Sequence, residues 1–466
     1  MTRPRTVREL RASDYRVLSV KEELRKNLVD ALRRGENPFP GLVGYDETVI
    51  PQVENAILSG QDLVLLGERG QAKTRLARAL ANLLDEEVPA MAGCEINDDP
   101  YQPICQQCRI RLEEEGDGAE IAWIGRDRRY GEKLATPDIT IADLIGEVDP
   151  IKVAEGRYLS DELTIHYGLI PRTNRGIFCI NELPDLAERI QVGLLNLMEE
   201  RDVQIRGYKA RLPLDLYVVA SANPEDYTNR GRIITPLKDR FGSQVRTHYP
   251  RTIDDEISIM EMERTTFEDG IQVVVPEYMK EIVAEITHLA RRSSDISQRS
   301  GVSVRVSITN YENLISNALK RAILLGEPAA APRISDLPAL VASTAGKIEV
   351  ESLGDAREDR IVDKLIRGAV LEVFNRRFRL QQFDELIARF ESGIQVEVGE
   401  GMPSERYLSP ALELPGVRAA VARLGMADAA ANAAVTASAV EFILEGLHLS
   451  RKLNKERTAG GLRYRR

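Results

Sequence analysis

The sequence predicts an α/β fold in which a parallel sheet lies between helices, followed by a long helical region. Three apolar segments, Asp62–Leu66, Ile177–Ile180 and Leu216–Ala220, have the length and character of buried parallel strands. Glycine or polar residues follow each of them, and helical patterns separate them, as in folds where strands and helices alternate. Beyond residue 250 the spacing of apolar residues is helical in the remaining long segments.

The composition is that of a globular protein, with 466 residues, of which 43% are hydrophobic and 29% charged. A net charge of −10 argues against a general nucleic-acid-binding surface. No apolar run reaches the roughly 18 residues that a membrane span needs. The basic N-terminus has no apolar segment behind it, and the chain has only four cysteines. These features predict a cytoplasmic protein in a reducing compartment.

Residues 1–40 are predicted to form an N-terminal helical arm that ends at the Pro38–Phe39–Pro40 break. Val43 and Gly44 then precede a helix that leads to the first core strand. Apolar residues at this place often pack on an adenine ring, and ordinary core packing explains them equally well. We therefore include both residues among the candidate nucleotide contacts.

The segment Gly67–Arg75 (GERGQAKTR) joins the first strand to a helix and predicts a phosphate-binding loop. Glycines let backbone N–H groups face phosphate oxygens, and the helix N-terminus adds partial positive charge. Lys73 is expected to reach the β- and γ-phosphates of ATP, and Thr74 to bind Mg2+. Ala72 stands where the general pattern has a second glycine. The predicted nucleotide-binding residues are Val43, Gly44, Gly67, Glu68, Arg69, Gly70, Gln71, Ala72, Lys73, Thr74 and Arg75.

Residues 88–135 are predicted to be an insertion that carries Cys94, Cys105 and Cys108. The C-x2-C spacing of the last two fits a tetrahedral zinc site, but no fourth ligand is evident nearby. Zinc would then need the distant His166 or a water molecule. We favour a reduced hairpin that binds no metal, and keep zinc as the alternative.

The second and third predicted strands end in side chains suited to nucleotide hydrolysis. Asn181 and Glu182 follow one of them, and Asn223 follows the other. The carboxyl ends of parallel strands face the ligand crevice, so Glu182 is placed to polarise a water molecule against the γ-phosphate. Asn223 can hydrogen-bond that water or the phosphate. Asn181 stands where nucleotide hydrolases usually carry the aspartate that holds Mg2+ through its water ligands.

Arg240 lies in the motif Asp239–Arg240–Phe241, after a helical turn. An arginine on this edge can reach the nucleotide of a neighbouring subunit and stabilise charge in the transition state. The alternative is that Arg240 pairs with Asp239 or with another carboxylate of its own chain.

Taken together, five motifs resemble those of the AAA+ ATPases of the MoxR and magnesium-chelatase ATPase-subunit clade. The GxxGxAKT form of the phosphate loop is typical of the MoxR side. The segment before the second strand is similar to the chelatase side, where an inserted hairpin and helix precede that strand. The resemblance covers about residues 38–345. Its motifs are Gly67–Thr74, INELPDL, LLNLMEERDVQIRGY, Ala222–Asn223–Pro224 and Asp239–Arg240–Phe241.

The resemblance implies an AAA+ core at residues 41–250, a helical lid at 251–345 and a C-terminal helical region at 346–466. It also implies ATP and Mg2+ as ligands, assembly into a homo-oligomeric ring, usually a hexamer, and a partner with a von Willebrand A domain. Arg299 is a weaker candidate for sensor 2 than Arg305. The implied roles are Walker A for Lys73 and Thr74, catalytic glutamate for Glu182, sensor 1 for Asn223, arginine finger for Arg240 and sensor 2 for Arg305.

We therefore expect a Mg2+-dependent ATPase motor that remodels or activates a partner protein complex. The motor subunit of a magnesium chelatase is one alternative. An ATP-sensing scaffold with weak hydrolysis is another, because Asn181 replaces the usual aspartate. The last sixteen residues hold seven Lys/Arg and one Glu, and we expect a solvated, frayed end rather than a nucleic-acid or partner contact.

Overall fold

The computed structural model of the chain describes residues 3–148, 162–204, 211–223, 232–267, 270–298, 301–350, 355–414, 416–424, 432–458 and 461–466. The chain divides into two compact units, Met1–His248 and Tyr249–Arg466. Within the described residues, no helix is both long enough and apolar enough to cross a membrane.

The first unit combines short helices with a mixed set of strands. Its helices are α1 (Val7–Arg11), α2 (Val20–Arg34), α3 (Ile50–Leu58), α4 (Lys73–Ala79), α5 (Gln106–Glu115), α6 (Ile141–Leu144), α7 (Leu169–Arg172), α8 (Glu188–Gly193), α9 (Leu195–Glu199) and α10 (Thr235–Arg240). Its strands are β1 (Leu63–Leu66), β2 (Glu87–Met91), β3 (Ile121–Gly125), β4 (Tyr130–Leu134), β5 (Gly146–Val148), β6 (Ile165–Tyr167), β7 (Gly176–Asn181), β8 (Asp202–Gln204), β9 (Arg211–Pro213), β10 (Leu216–Ala222) and β11 (Ser243–Arg246).

Five of these strands form the main sheet, and all of its neighbouring pairs are parallel. The order is β11-β1-β10-β7-β4, which is the strand order of an AAA+ core. Strands β1, β7 and β10 are buried along their whole length, which explains their continuous apolar sequences. The predicted α/β fold with a parallel sheet is confirmed.

Helices cover both faces of this sheet. Side chains alternate along a strand, so successive residues of β7 enter different cores. Ile177 and Cys179 pack in the core that contains Leu76 of α4. Phe178 and Ile180 pack in the core that contains Ile190 of α8. The sheet therefore lies between two layers of helices, as the sequence predicts.

The predicted insertion at residues 88–135 is partly wrong in its extent. β2 and β3 form an antiparallel hairpin with α5 between them, as expected of an insertion. β4, however, pairs in parallel with β7 and forms the edge of the main sheet. Its sequence, YGEKL, contains two charged residues and does not resemble a buried core strand. A further antiparallel hairpin, β5–β6, precedes β7; residues 149–161 between its strands lie outside the described part.

The second unit is mostly helical and has a hydrophobic core of its own. Four of its long helices, Glu277–Arg292, Val304–Leu325, Asp355–Arg377 and Ala433–Leu449, contribute buried residues to one core cluster. The predicted division at residues 345/346 therefore lies inside one compact unit. Its helices are α11 (Ile253–Glu263), α12 (Glu277–Arg292), α13 (Val304–Leu325), α14 (Val341–Thr344), α15 (Asp355–Arg377), α16 (Asp384–Glu391), α17 (Leu408–Glu413), α18 (Val417–Arg423) and α19 (Ala433–Leu449). Its strands are β12 (Gln272–Val273), β13 (Ala329–Ala330), β14 (Val396–Val398), β15 (Asn454–Thr458) and β16 (Gly461–Arg465).

The C-terminal tail is part of a sheet, so the expectation of a frayed end is wrong. β16 pairs antiparallel with both β15 and β14. Tyr464 is buried, and its hydroxyl donates a hydrogen bond to Glu445. Lys455 forms an ion pair with the same carboxylate at 2.7 Å. Because side chains alternate along β16, Arg463 and Arg465 can reach solvent while Tyr464 anchors the strand.

Candidate nucleotide site

The loop between β1 and α4 is held in a compact conformation by its own side chains. A Cβ atom at Gly67 would lie 1.9 Å from Thr247 Oγ1 and 2.3 Å from Gln71 Oε1, so only glycine fits there. Gln71 Oε1 accepts hydrogen bonds from the Glu68 N–H at 3.0 Å and from the Thr247 hydroxyl at 2.8 Å. Gly70 has a φ of +76°. The loop is therefore preorganised by contacts within the first unit.

Ala72, the departure from the general loop pattern, has φ 51° and ψ 17°. This left-handed conformation costs an L-residue roughly 1–2 kcal/mol, because Cβ approaches the following carbonyl oxygen. The strained residue lies immediately before Lys73. Alanine at position 72 therefore adopts the backbone conformation for which the general pattern uses glycine.

Three of the predicted site residues form one chain of hydrogen bonds. Lys73 Nζ donates to the carbonyl oxygens of Gly67 and Glu68 and, at 2.6 Å, to Asn223 Oδ1. Asn223 Nδ2 donates to Glu182 Oε2 at 2.6 Å. Only one orientation of the Asn223 amide satisfies both partners, because lysine can only donate and a carboxylate can only accept. The ends of β1, β7 and β10 thus bring a cation, an amide and a carboxylate into contact.

Glu182 is the first residue after β7, and its backbone is strained. It has φ 56° and ψ 46°, which are unusual values for a residue other than glycine. Its N–H donates to the hydroxyl of Ser221 at 3.3 Å. Strained residues of this kind cluster at functional sites, where the surrounding structure must hold them in place.

Asn181, at the end of β7, is hydrogen-bonded to two neighbouring side chains. Its Nδ2 donates to Glu132 Oε1 at 2.7 Å, and its Oδ1 accepts from the Ser221 hydroxyl at 3.1 Å. Glu132 lies on the edge strand β4, and Arg78 of α4 binds it through two hydrogen bonds of 2.7 and 3.1 Å. Glu132 thus places a carboxylate beside Asn181, which stands where nucleotide hydrolases usually carry an aspartate. Glu132 is not evident as a site residue in the sequence, where it is only a charged residue in a short strand.

The oxygen-bearing side chains near this strand end suit a hard cation such as Mg2+. Thr74 is half-buried and lies one helical turn before Arg78 on α4, which contacts Glu132. Hydroxyl, amide and carboxylate oxygens are the ligand types that Mg2+ prefers, together with water and substrate phosphates. The residues present therefore fit the metal that the resemblance implies.

Val43 and Gly44 are half-buried and adjoin a tyrosine that is fixed to the phosphate loop. The Tyr45 hydroxyl lies 2.8 Å from the Gln71 carbonyl oxygen and 2.9 Å from that of His248. Burial raises the pKa of Tyr45 to about 12, so the hydroxyl remains a donor at neutral pH. A Cβ atom at Gly41 would lie 2.8 Å from the Arg75 guanidinium. The candidate adenine contacts and the loop thus belong to one packed region.

The two predicted arginines are not part of this chain of hydrogen bonds. Arg240 lies at the end of α10, where its guanidinium pairs with Glu199 and donates to the Pro236 carbonyl oxygen at 2.8 Å. The alternative considered for Arg240, pairing with a carboxylate of its own chain, therefore occurs. Arg305 is exposed in the first turn of α13, in the second unit. Arg299 lies outside the described residues.

Sequence comparison finds relatives among magnesium-chelatase subunits. The chain is 27% identical over 257 residues to subunit ChlI of Nostoc sp., which covers 54% of this chain and 65% of the relative. It is 24% identical over 293 residues to ChlI of Mesostigma viride, covering 61% and 77%. It is 27% identical over 231 residues to a ChlI homolog of Methanocaldococcus jannaschii, covering 48% and 58%. No protein-family model matches the chain.

The chain thus spans about two-thirds of the length of the Nostoc relative and a smaller share of the archaeal one. Among solved structures, it is similar to a complex between subunits BchI and BchD of magnesium chelatase. That similarity has 19% sequence identity and a TM-score of 0.36, and it covers 71% of this chain and 98% of the other.

Proposed function

We propose that this chain, an AAA+ ATPase related to subunit I of magnesium chelatase, hydrolyses ATP to remodel or activate a partner protein complex. The chain Lys73–Asn223–Glu182 supports this proposal most directly. It connects the cation of the phosphate loop, through one amide, to the carboxylate that follows β7. A loop lysine and a residue that positions the attacking water are recurring parts of sites that hydrolyse a γ-phosphate.

In this mechanism Lys73 binds the β- and γ-phosphates, and the loop N–H groups hold the remaining phosphate oxygens. Glu182 accepts a hydrogen bond from the attacking water and orients it. The water oxygen bonds to the γ-phosphorus as the water gives up a proton to Glu182. The bond to the bridging oxygen breaks, and ADP and inorganic phosphate leave. Asn223 fixes the carboxylate by donating to it, which limits the orientations that Glu182 can adopt.

Mg2+ would neutralise charge on the β- and γ-phosphates when it is bound. Thr74 would supply a hydroxyl ligand, and Asn181 an amide oxygen that contacts the water ligands of the metal. We infer that Glu132 is a positioning residue that restores the negative charge Asn181 lacks. Arg78, which also binds Glu132, has a side chain that is 65% exposed, so water screens its charge.

A homo-oligomeric ring, usually a hexamer in the family that the chain resembles, would let Arg240 act on the nucleotide of the neighbouring subunit. Its partner in the single chain, Glu199, has a side chain that is 56% exposed. Exposed ion pairs of this kind contribute about 0–1 kcal/mol, so Arg240 could exchange Glu199 for a phosphate of the neighbouring nucleotide at little cost in free energy. Arg305 would act as sensor 2, and a protein with a von Willebrand A domain would be the partner.

Two other functions compete with this one. The motor subunit of a magnesium chelatase is supported by the relatives, which are chelatase subunits. It predicts that ATP turnover by this chain drives Mg2+ insertion into a porphyrin once the other chelatase subunits are added. An ATP-sensing scaffold is supported by Asn181, and it predicts that ATP binds while turnover stays near zero.

The test of the proposed function compares Lys73→Ala and Glu182→Gln with the parent. We expect Lys73→Ala to lose tight ATP binding in calorimetry, because the mobile cation of the loop is removed. We expect Glu182→Gln to bind ATP and retain it unhydrolysed. Lys26→Ala, which removes an exposed lysine on α2, is the matched control. Unchanged ATP affinity in Lys73→Ala would contradict the phosphate-loop assignment, and normal turnover in Glu182→Gln would contradict the role of that carboxylate.

A further inference from the structure

Four side chains of the β2–β3 insertion converge in one place, well apart in sequence from the nucleotide loop. They are Cys94, Asp98, Cys105 and Cys108, and one ligand atom of each lies within 4.8 Å of the others. Cys94 follows β2, Asp98 lies in the next loop, Cys105 is the N-cap of α5, and Cys108 is in its first turn. Asp98 is therefore the candidate for the fourth ligand, which is not evident in the sequence.

Asp98 gives the strongest indication that the cluster binds a cation. Its side chain is fully buried. One carboxylate oxygen accepts from the Cys105 N–H at 2.9 Å, and the other has no hydrogen-bond partner among the described residues. A buried carboxylate oxygen without a partner costs several kcal/mol unless a cation or donor reaches it. Here the groups around it are three thiols, which bind metal as thiolates.

Backbone hydrogen bonds also favour the thiolate form of two of the three sulfur atoms. The Asp98 N–H donates to Cys94 Sγ at 3.4 Å, and the Cys108 N–H donates to Cys105 Sγ at 3.3 Å. Backbone N–H groups that point at sulfur stabilise the charged form and orient it toward a metal. All the cysteines of the chain are free, so no disulfide already occupies these sulfurs.

The spacing agrees with a tetrahedral site. With a Zn–S distance of about 2.3 Å, tetrahedral geometry puts neighbouring sulfurs about 3.8 Å apart. The limit of 4.8 Å in this cluster leaves only a small contraction on binding. Three soft thiolates with one carboxylate favour Zn2+ over Mg2+ or Ca2+, which prefer oxygen ligands. We propose that Cys94, Asp98, Cys105 and Cys108 bind one structural Zn2+.

The surrounding structure explains what such an ion would stabilise. The cluster belongs to a small core whose buried members include Val7 and Leu10 of α1 and Ile121 of β3. Cores of this size rarely stabilise a fold alone, and a metal commonly supplies the missing free energy. Asn97 in the same loop donates to the carbonyl oxygen of Arg172 at 3.1 Å. The metal would therefore fix both the N-terminal arm and the segment that leads into β7.

The test measures metal content in protein purified without a His-tag and without chelators. We expect one zinc per chain by elemental analysis, and tetrahedral cobalt–thiolate absorption after replacement by Co2+. Cys105→Ser should lose the zinc. Asp98→Asn keeps the shape of the ligand but removes its charge, and should weaken zinc binding at least tenfold in competition with a chelating dye. Cys179→Ala removes a buried thiol outside the cluster and should retain one zinc.

The parent protein alone can overturn the proposal, so a variant that fails to fold does not leave it undecided. Absence of zinc after purification, together with no cobalt–thiolate absorption on titration of the reduced protein, would overturn it. So would a Cys105–Cys108 disulfide in metal-free protein purified anaerobically. Loss of metal in Cys179→Ala to the same extent as in Cys105→Ser would also count against it. None of these measurements depends on ATP, so they stand apart from the proposed function.

Discussion

The pair Glu132 and Asn181 can be tested by exchanging the two functional groups. In the parent, a carboxylate on β4 accepts from an amide on β7 at 2.7 Å. Asn181→Asp gives two carboxylates, Glu132→Gln gives two amides, and the double variant Glu132→Gln with Asn181→Asp restores one of each. If this site needs one carboxylate and one amide, the double variant should behave more like the parent than either single variant does.

The magnitudes follow from the contact distance. Two charges about 4 Å apart repel by about 4 kcal/mol at an effective dielectric constant of 20. Asn181→Asp also loses a hydrogen bond to a charged group, which contributes about 1.5–3 kcal/mol. Together these terms set an upper limit of about 5.5–7 kcal/mol. Because Arg78 also pairs with Glu132 and offsets part of the repulsion, we expect Asn181→Asp to lower the free energy of unfolding of metal-free protein by about 3–5 kcal/mol. Glu132→Gln keeps a neutral hydrogen bond and should cost about 1 kcal/mol. The double variant should recover most of the loss.

Metal binding should respond in the opposite sense. Mn2+ can replace Mg2+ and allows its affinity to be measured by electron paramagnetic resonance with ADP present. Asn181→Asp should bind Mn2+ more tightly, because the cation relieves the repulsion between the two carboxylates. Glu132→Gln should bind it about tenfold more weakly, equivalent to about 1.4 kcal/mol. The double variant should lie near the parent, and Glu113→Gln on the exposed face of α5 is the matched control.

Two outcomes would refute this reasoning, and they refute different parts of it. If metal-free Asn181→Asp is as stable as the parent, the two side chains are not in contact in solution. If Glu132→Gln binds Mn2+ as tightly as the parent does, Glu132 has no role toward the metal. The stability measurement needs no nucleotide, and therefore tests the contact independently of ATP hydrolysis.

Two further predictions concern the ring and the loop. Arg240→Ala should keep ATP affinity but lose turnover by roughly 10³–10⁵-fold, and mixing it with Lys73→Ala should restore some activity. Glu199→Gln, which releases Arg240 without removing it, should stay active. Mixed variants that co-assemble yet remain inactive would contradict a role across the interface. Ala72→Gly should raise the free energy of unfolding by up to about 1 kcal/mol, because it relieves the left-handed strain. Ala79→Gly, in a right-handed position, should lower it. Thermal unfolding of both variants tests this, and a loss of stability in Ala72→Gly would contradict the inferred strain.

The sequence predicts the buried strands of the core sheet well, because each is recognisable from its own residues. β1, β7 and β10 are buried on both faces, so each is a continuous apolar run that ends in the polar residues of the site. β4 carries no such signal, since it lies at the sheet edge and presents Glu132 and Lys133 within five residues. The tail is mispredicted for a related reason, because its basic residues alternate with the single buried anchor Tyr464.

Two residues, Glu132 and Asp98, are not evident as site residues in the sequence, for different reasons. Glu132 meets Asn181 across 49 positions, and only the strand order makes them neighbours. Asp98 lies just four residues after Cys94, but its acidic neighbours suggest an ordinary exposed turn. Its importance follows from complete burial with one oxygen unpartnered, which no local pattern reveals. In both cases a carboxylate is recognised by what surrounds it rather than by its position in a motif.

The hydrogen bonds of Lys73 suggest how nucleotide binding and the attacking water are coupled. An ammonium group has three N–H donors, and Gly67, Glu68 and Asn223 each accept one of them. A phosphate that binds Lys73 would therefore compete with these acceptors, and Asn223, which follows β10, is the one that lies outside the loop. Asn223 Oδ1 would then be free to accept from water, while Nδ2 continues to hold Glu182. Under the role proposed for Glu182, phosphate binding would in this way place an amide oxygen and a carboxylate around the same water. Asn223 would then couple occupancy of the loop to the position of that water.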